Sequence, residues 1–133
     1  MKPLSMHSHR TVRRLLVAVA LVGLVAACGG DDEVAEGPAD PVTELTITST
    51  KTAFDIEHFK VPVGEEITIT YVNDDDGISH NFNLKGVEGG KTDLERGPDR
   101  KKATFTIDEP GEYEYLCDVH PVQMKGTIDA VEA

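Results

Sequence analysis

An all-β fold, an antiparallel β-sandwich or barrel of about seven to eight short strands, is predicted by three features of this chain. Apolar residues alternate at Leu45 and Ile47, at Phe54 and Ile56, at Ile67, Ile69 and Tyr71, and at Phe82 and Leu84. The same alternation returns at Phe105 and Ile107, Tyr113 and Tyr115, and Ile128 and Ala130. Strand side chains point to opposite faces in turn, so period two means a strand with one buried face. Turn-forming clusters divide the runs: Pro62-Val63-Gly64, Asn73-Asp74-Asp75-Asp76-Gly77, the glycine-rich stretch 86–98 and Asp108-Glu109-Pro110-Gly111. The 92 residues from 42 to 133 suffice for one core and not for two.

Upstream of that domain the chain opens on Lys2, Arg10, Arg13 and Arg14, then an apolar run at residues 15–27 that stops at Cys28. Its 13 residues fall short of the ~20 that cross a membrane as a helix and suit the roughly 7–15 of a signal-peptide core. Residues 1–27 are therefore expected to be a cleaved export signal. Val25-Ala26-Ala27-Cys28 resembles the lipobox of bacterial lipoproteins, which implies cleavage before Cys28 and lipid on its sulfur. An ordinary signal peptide would instead leave Cys28 as a thiol. Val12-Arg13-Arg14-Leu15-Leu16 resembles a twin-arginine signal, so the route of export stays open. Residues 28–41, rich in glycine, proline and acid with no apolar period, read as a solvated tether. The implied location is the outer face of a cell membrane or the periplasm, with the domain held by lipid on Cys28.

Loss of the four leader cations leaves nine cations against 24 acids, a formal charge of −15. Nucleic acid and anionic headgroups are poor partners for such a surface, whereas a basic or dipolar protein is not. The same acidity also keeps an exported chain soluble.

The chemistry concentrates in Cys117-Asp-Val-His120-Pro-Val-Gln-Met124, which holds a thiol, an imidazole and a thioether within eight residues. With Cys28 lipidated, Cys117 has no disulfide partner, and metal ligation would protect a lone thiol in an oxidising compartment. Two histidines, one cysteine and a weak axial methionine describe an electron-transfer copper site. His80, in Gly77-Ile78-Ser79-His80-Asn81-Phe82, is the candidate for the second histidine. Strand parity orients these donors: His80 shares the phase of Phe82 and Leu84, Cys117 that of Tyr113 and Tyr115, and Met124 that of Ile128 and Ala130. Gln123, which can replace methionine as the axial donor, falls on the opposite face, although a turn containing Pro121 can shift the phase. His58 shares a phase with Phe54 and Ile56 and is expected to be structural or exposed. Asp74-Asp75-Asp76-Gly77 lacks the spaced ligands of a calcium loop and reads as a solvated turn. Residues 85–102 leave room for a short helix.

With these residues in place the chain resembles the cupredoxins, the plastocyanin- and azurin-like family of small blue-copper proteins. The resemblance rests on Val61-Pro62-Val63-Gly64-Glu65-Glu66-Ile67 through Asn73 as a strand entry, on Ile78-Ser79-His80-Asn81-Phe82 as a first-histidine segment, and on Gly111 through Cys117 as the run into the cysteine. It implies a Greek-key topology and one type 1 copper ion held by His80, Cys117, His120 and Met124. It further implies that Asn81 ties the first-histidine segment to the cysteine loop. Ile78, Pro121 and Val122 would form an apolar collar where a redox protein partner, such as a cytochrome, an oxidase or a reductase, docks on a monomer.

The function so implied is single-electron transfer by Cu(II)/Cu(I) cycling. A copper-handling protein for storage, delivery or tolerance would use the same donors but release Cu(I) readily to a chelator. A metal-free β-sandwich interaction module would give no intense absorption with Cu(II). Copper oxidases and reductases of related fold need an additional copper centre, and the sequence offers no second ligand cluster, so no enzyme is expected.

Overall fold

The computed structural model describes residues 34–133; the export signal, Cys28 and the start of the tether lie outside the described residues. Nine strands follow in order: β1 (Glu44–Ser49), β2 (His58–Pro62), β3 (Glu66–Asn73), β4 (Ser79–His80), β5 (Asn83–Leu84), β6 (Glu95–Arg96), β7 (Asp99–Thr106), β8 (Gly111–Leu116) and β9 (Lys125–Val131). They form a three-stranded sheet, β1-β3-β7, a four-stranded sheet, β2-β9-β8-β5, and a short ribbon, β4-β6. The expected all-β sandwich is present. Its pairing is mixed, because β1 runs parallel to β3 and β2 parallel to β9, while β3/β7, β5/β8 and β8/β9 are antiparallel. The chain leaves β1 for β2 in the other sheet before returning to β3, and such a crossover is what a parallel pair requires.

Alternation decides which face each strand buries. In β3, Ile67, Ile69, Tyr71 and Asn73 are buried while Thr68, Thr70 and Val72 are partly exposed. In β9, Gly126, Ile128 and Ala130 are buried in the same way. The inward faces of the two sheets meet in one core that includes Ile47, Ile69, Tyr71 and Phe105 from the first, and Phe59, Leu84, Tyr115 and Ile128 from the second. At its centre the Tyr115 ring lies 5.3, 5.9 and 5.1 Å from the ring centroids of Phe54, Phe59 and Phe82. The Tyr115 hydroxyl donates to the Ile56 carbonyl, so the most buried phenol carries no orphaned polar atom. Gly126 is required opposite it, since a Cβ there would approach the Glu57 carbonyl oxygen to 2.5 Å.

Three local expectations change. Phe54 is buried, but the segment 50–57 forms no strand; it turns through Lys51 and Thr52, both at positive φ, and the phase then shifts. Phe59 and Val61 consequently face the core, and His58 turns outward to Thr127 Oγ1 (2.9 Å) and Asp129 Oδ2 (3.4 Å). Residues 85–102 hold turns, β6 and the start of β7 instead of a helix. Part of the segment read as tether is also engaged: the Glu57 and His58 amides donate to the Ala35 carbonyl, and the Gly37 amide donates to the His58 carbonyl. This pairing covers the outer edge of β2, where unpaired backbone groups would otherwise be exposed.

Candidate metal centre

The β8–β9 hairpin brings three of the four predicted donors together. Its last paired rung is Leu116 with Lys125, and beyond it the Cys117 amide donates to the Met124 carbonyl at 3.0 Å. Residues 118–123 close the turn, with the His120 amide on the Cys117 carbonyl (3.2 Å) and the Met124 amide on the His120 carbonyl (2.9 Å). Pro121 suits this turn because its φ is fixed and it has no amide hydrogen to satisfy. Cys117 and Met124 are both fully buried, His120 is half-buried and Gln123 is exposed.

The remaining donor arrives from the other side. His80 ends β4, where it pairs with Glu95 of β6, and is 1 % exposed. Its Nδ1 lies 3.7 Å from Cys117 Sγ, and His120 Nδ1 lies 3.8 Å from the same sulfur. The ligand atoms of His80, Cys117 and His120 all fall within 4.8 Å of one another, the one such convergence among the described residues. Two imidazoles and a thiol with a buried thioether beside them suit copper; structural zinc sites are closed by a fourth strong cysteine, histidine or carboxylate donor.

Three polar residues brace the donors. Asn81 Oδ1 accepts from the Asp118 amide (2.9 Å), and its Nδ2 donates to Asp118 Oδ2 (3.0 Å) and to the Thr92 carbonyl (3.2 Å). The first-histidine segment and the cysteine loop are thereby joined on both sides of one amide. Asp118 also accepts from Asn83 Nδ2 (2.6 Å) and Lys91 Nζ (2.7 Å). Burial pushes its carboxyl up, but the donors of Lys91, Asn83 and Asn81 and the charge of Lys91 outweigh that and bring it down to about 2. Asp75 accepts from His80 Nε2 at 2.9 Å. It stands buried in the run read as a solvated turn, and the signal that reveals it is parity, because Tyr71, Asn73 and Asp75 continue one inward phase. Asp118 carried no comparable signal, since its partners are distant in sequence.

Ile78 (43 %), Pro121 and Val122 (77 %) are exposed. Val119 and Leu94, at 48 % and 45 %, are further exposed apolar residues that the sequence reading missed. His58 stays apart from the centre, bound to Thr127 and Asp129 of β9.

A family model described as a cupredoxin-like domain matches residues 15–129. Among solved structures, a dithionite-reduced auracyanin from the photosynthetic bacterium Roseiflexus castenholzii is 25 % identical at a TM-score of 0.64, covering 69 % of this chain and 99 % of that one. Auracyanin A, a blue copper protein from Chloroflexus aurantiacus, is 24 % identical at a TM-score of 0.59 over 69 % and 100 % of the two chains, a likeness of fold. The reduced Cu(I) form of an amicyanin variant is 26 % identical at a TM-score of 0.52 over 70 % and 87 %. No curated protein matches the chain.

The Asp118 carboxyl yields a pH prediction for the metal-free protein. A group whose folded pKa is depressed stabilises the fold above its ordinary value of 3.8, and that stability is lost as pH falls through about 2. Asp118→Asn is expected to flatten the acid limb of denaturant-measured stability between about pH 4 and 2, leaving the part due to Asp75. An acid limb as steep as that of the unsubstituted protein would remove Asp118 from the network.

Proposed function

Because the chain belongs to the cupredoxin family, we propose that it is an exported type 1 copper protein that carries single electrons between redox partners. The observation that carries this reading is the meeting of the His80, Cys117 and His120 ligand atoms within 4.8 Å, beside the buried Met124. His80, Cys117 and His120 would be the strong donors and Met124 the weak axial one; Gln123, exposed on the loop, is the poorer candidate. Bound there, copper supplies a one-electron Cu(II)/Cu(I) couple.

The protein's own contribution is to hold the donors still. Cys117 and Met124 are fixed by hairpin hydrogen bonds, and His80 by β4, so neither oxidation state can draw the ligands far from their places. Full burial of Cys117 keeps its sulfur from solvent oxidants. His120 alone of the four is partly exposed, and Val119, Pro121 and Val122 surround it in sequence. An apolar collar about one imidazole suits a small, short-lived encounter with a redox protein. The acidic surface favours a basic or dipolar partner. The sequence supports cleavage before Cys28 and lipid on that residue, and a tether shortened to the residues ahead of Ala35, where the chain binds β2, would keep the domain at a membrane face.

Titration with Cu(II) tests the centre. An intense thiolate-to-copper absorption and a type 1 spin-resonance pattern are expected, both lost in Cys117→Ser; a colourless, normal copper spectrum would overturn the assignment. Val122→Asp is expected to slow electron self-exchange by about tenfold or more, through like charges brought into contact, with the absorption unchanged. Self-exchange at the unsubstituted rate would remove the collar from the encounter. For the anchor, Cys28→Ser should move the protein from the membrane to the soluble fraction, and membrane retention would exclude lipid on Cys28.

A further inference from the structure

Asp75 has more partners than a surface turn explains. Its carboxylate accepts from the Lys51 amide at 2.5 Å, the Thr52 amide at 2.9 Å and His80 Nε2 at 2.9 Å, and the residue is buried. Lys51 and Thr52 have φ of 54° and 57°, a left-handed conformation that residues other than glycine rarely adopt. Two successive amides so arranged form an anion-binding nest, and here the anion is a side chain of the same protein. The turn that carries Asp75 is held as well: its amide donates to Asn73 Oδ1 (3.1 Å), and Asn73 Nδ2 donates to the carbonyls of Ile78 (2.8 Å) and Glu95 (3.1 Å). A Cβ on Gly97 would meet Asn73 Oδ1 at 2.9 Å, so the packing leaves the turn little room to move.

An ionised carboxylate only accepts hydrogen bonds. The proton between Asp75 and His80 therefore belongs to Nε2, which leaves the Nδ1 lone pair of a neutral ring free on the side facing Cys117 Sγ, 3.7 Å away. Resting on the copper reading above, we propose that Asp75 is a positioning residue of the metal centre: it fixes the tautomer and orientation of His80, and its buried charge favours the more highly charged Cu(II) over Cu(I). Outer carboxylates that hold metal-bound imidazoles raise the donor strength of the ring and tune the metal in this way.

Three measurements test this. In Asp75→Asn the size and one acceptor oxygen remain while the charge is lost; the blue site should persist, and its preference for Cu(II) over Cu(I) should fall about tenfold, an upward shift in potential of about 59 mV. Asp75→Ala should in addition weaken metal binding roughly 10–100-fold. An Asp75→Asn protein with unchanged potential and Cu(II) affinity would reduce Asp75 to a turn cap and overturn the proposal. Nitrogen-15 resonances of the His80 ring in the copper-free, unsubstituted protein read the tautomer without any variant: Nε2–H supports the proposal and Nδ1–H overturns it. If the unsubstituted protein gives no thiolate-to-copper absorption, the copper reading fails instead, and the tautomer still decides whether Asp75 orients His80.

Discussion

The hydrogen bond from the Cys117 amide to the Met124 carbonyl is the constraint on which the metal centre depends. It adds one further rung to the β8–β9 hairpin, so the two sulfur donors stand opposite each other at the end of a ladder instead of on separate loops. Opposed residues of an antiparallel pair bring their side chains close on one face, which gives the site two of its donors from a single backbone contact. The hairpin is in turn positioned by the core. Tyr115, two residues before Cys117, is locked among Phe54, Phe59 and Phe82, and its hydroxyl is tied to the Ile56 carbonyl. Core packing therefore sets where Cys117 lies, and the register carries that position to Met124.

His80 reaches the same point by a different route, and the structure joins the two halves with polar contacts instead of more apolar burial. Asn81 links to Asp118 from both ends of its amide, and Asp118 is held by Asn83 and Lys91. Asp75 does the corresponding work behind the imidazole. Such contacts are directional, so they hold orientation as well as distance, which apolar packing alone does less well. Among the described residues no buried side-chain nitrogen or oxygen is left without a hydrogen-bond partner, so the polar rim of the centre is complete.

Much of this was legible in the residues because strand parity is a local property. His80 with Phe82 and Leu84, Cys117 with Tyr115, and Met124 with Ile128 all lie buried on the phase their neighbours dictate. Parity fails where the backbone leaves the strand. The chain bends at Asp55 and leaves the strand through Ile56 and Glu57, which breaks the run from Phe54 to His58 and moves Phe59 and Val61 inward and His58 outward. The left-handed turn just before it, at Lys51 and Thr52, is equally unannounced, since lysine and threonine are unusual in that conformation. The parallel pairing of β1 with β3 and β2 with β9 was equally hidden, because it arises from crossing between sheets and leaves no pattern within a strand. The Asp74-Asp75-Asp76 run shows the limit most clearly: three identical side chains in a row, of which only the middle one is buried. Composition makes all three solvent-facing; the phase continued from Tyr71 and Asn73 selects Asp75.

The unequal burial of the donors bears on how such a centre would exchange electrons. His80, Cys117 and Met124 are at most 1 % exposed, while His120 is half-buried in a loop whose neighbours Val119 and Val122 are open to solvent. Water is thus kept from the sulfur side, and one imidazole is left as the shortest approach from outside. Of the carboxylates beside the donors, Asp75 is buried and taken up by the Lys51 and Thr52 amides and by His80, while the more exposed Asp118 is paired with Lys91 and Asn83, so its charge is partly offset. In the proposed encounter, an apolar rim on an acidic molecule would separate two tasks: long-range charge would govern who approaches, and the uncharged contact around His120 would let the pair come apart again. A centre wrapped on every side would guard its sulfur equally well but would lengthen the path to any partner, and the 118–123 loop avoids that by exposing a single ring.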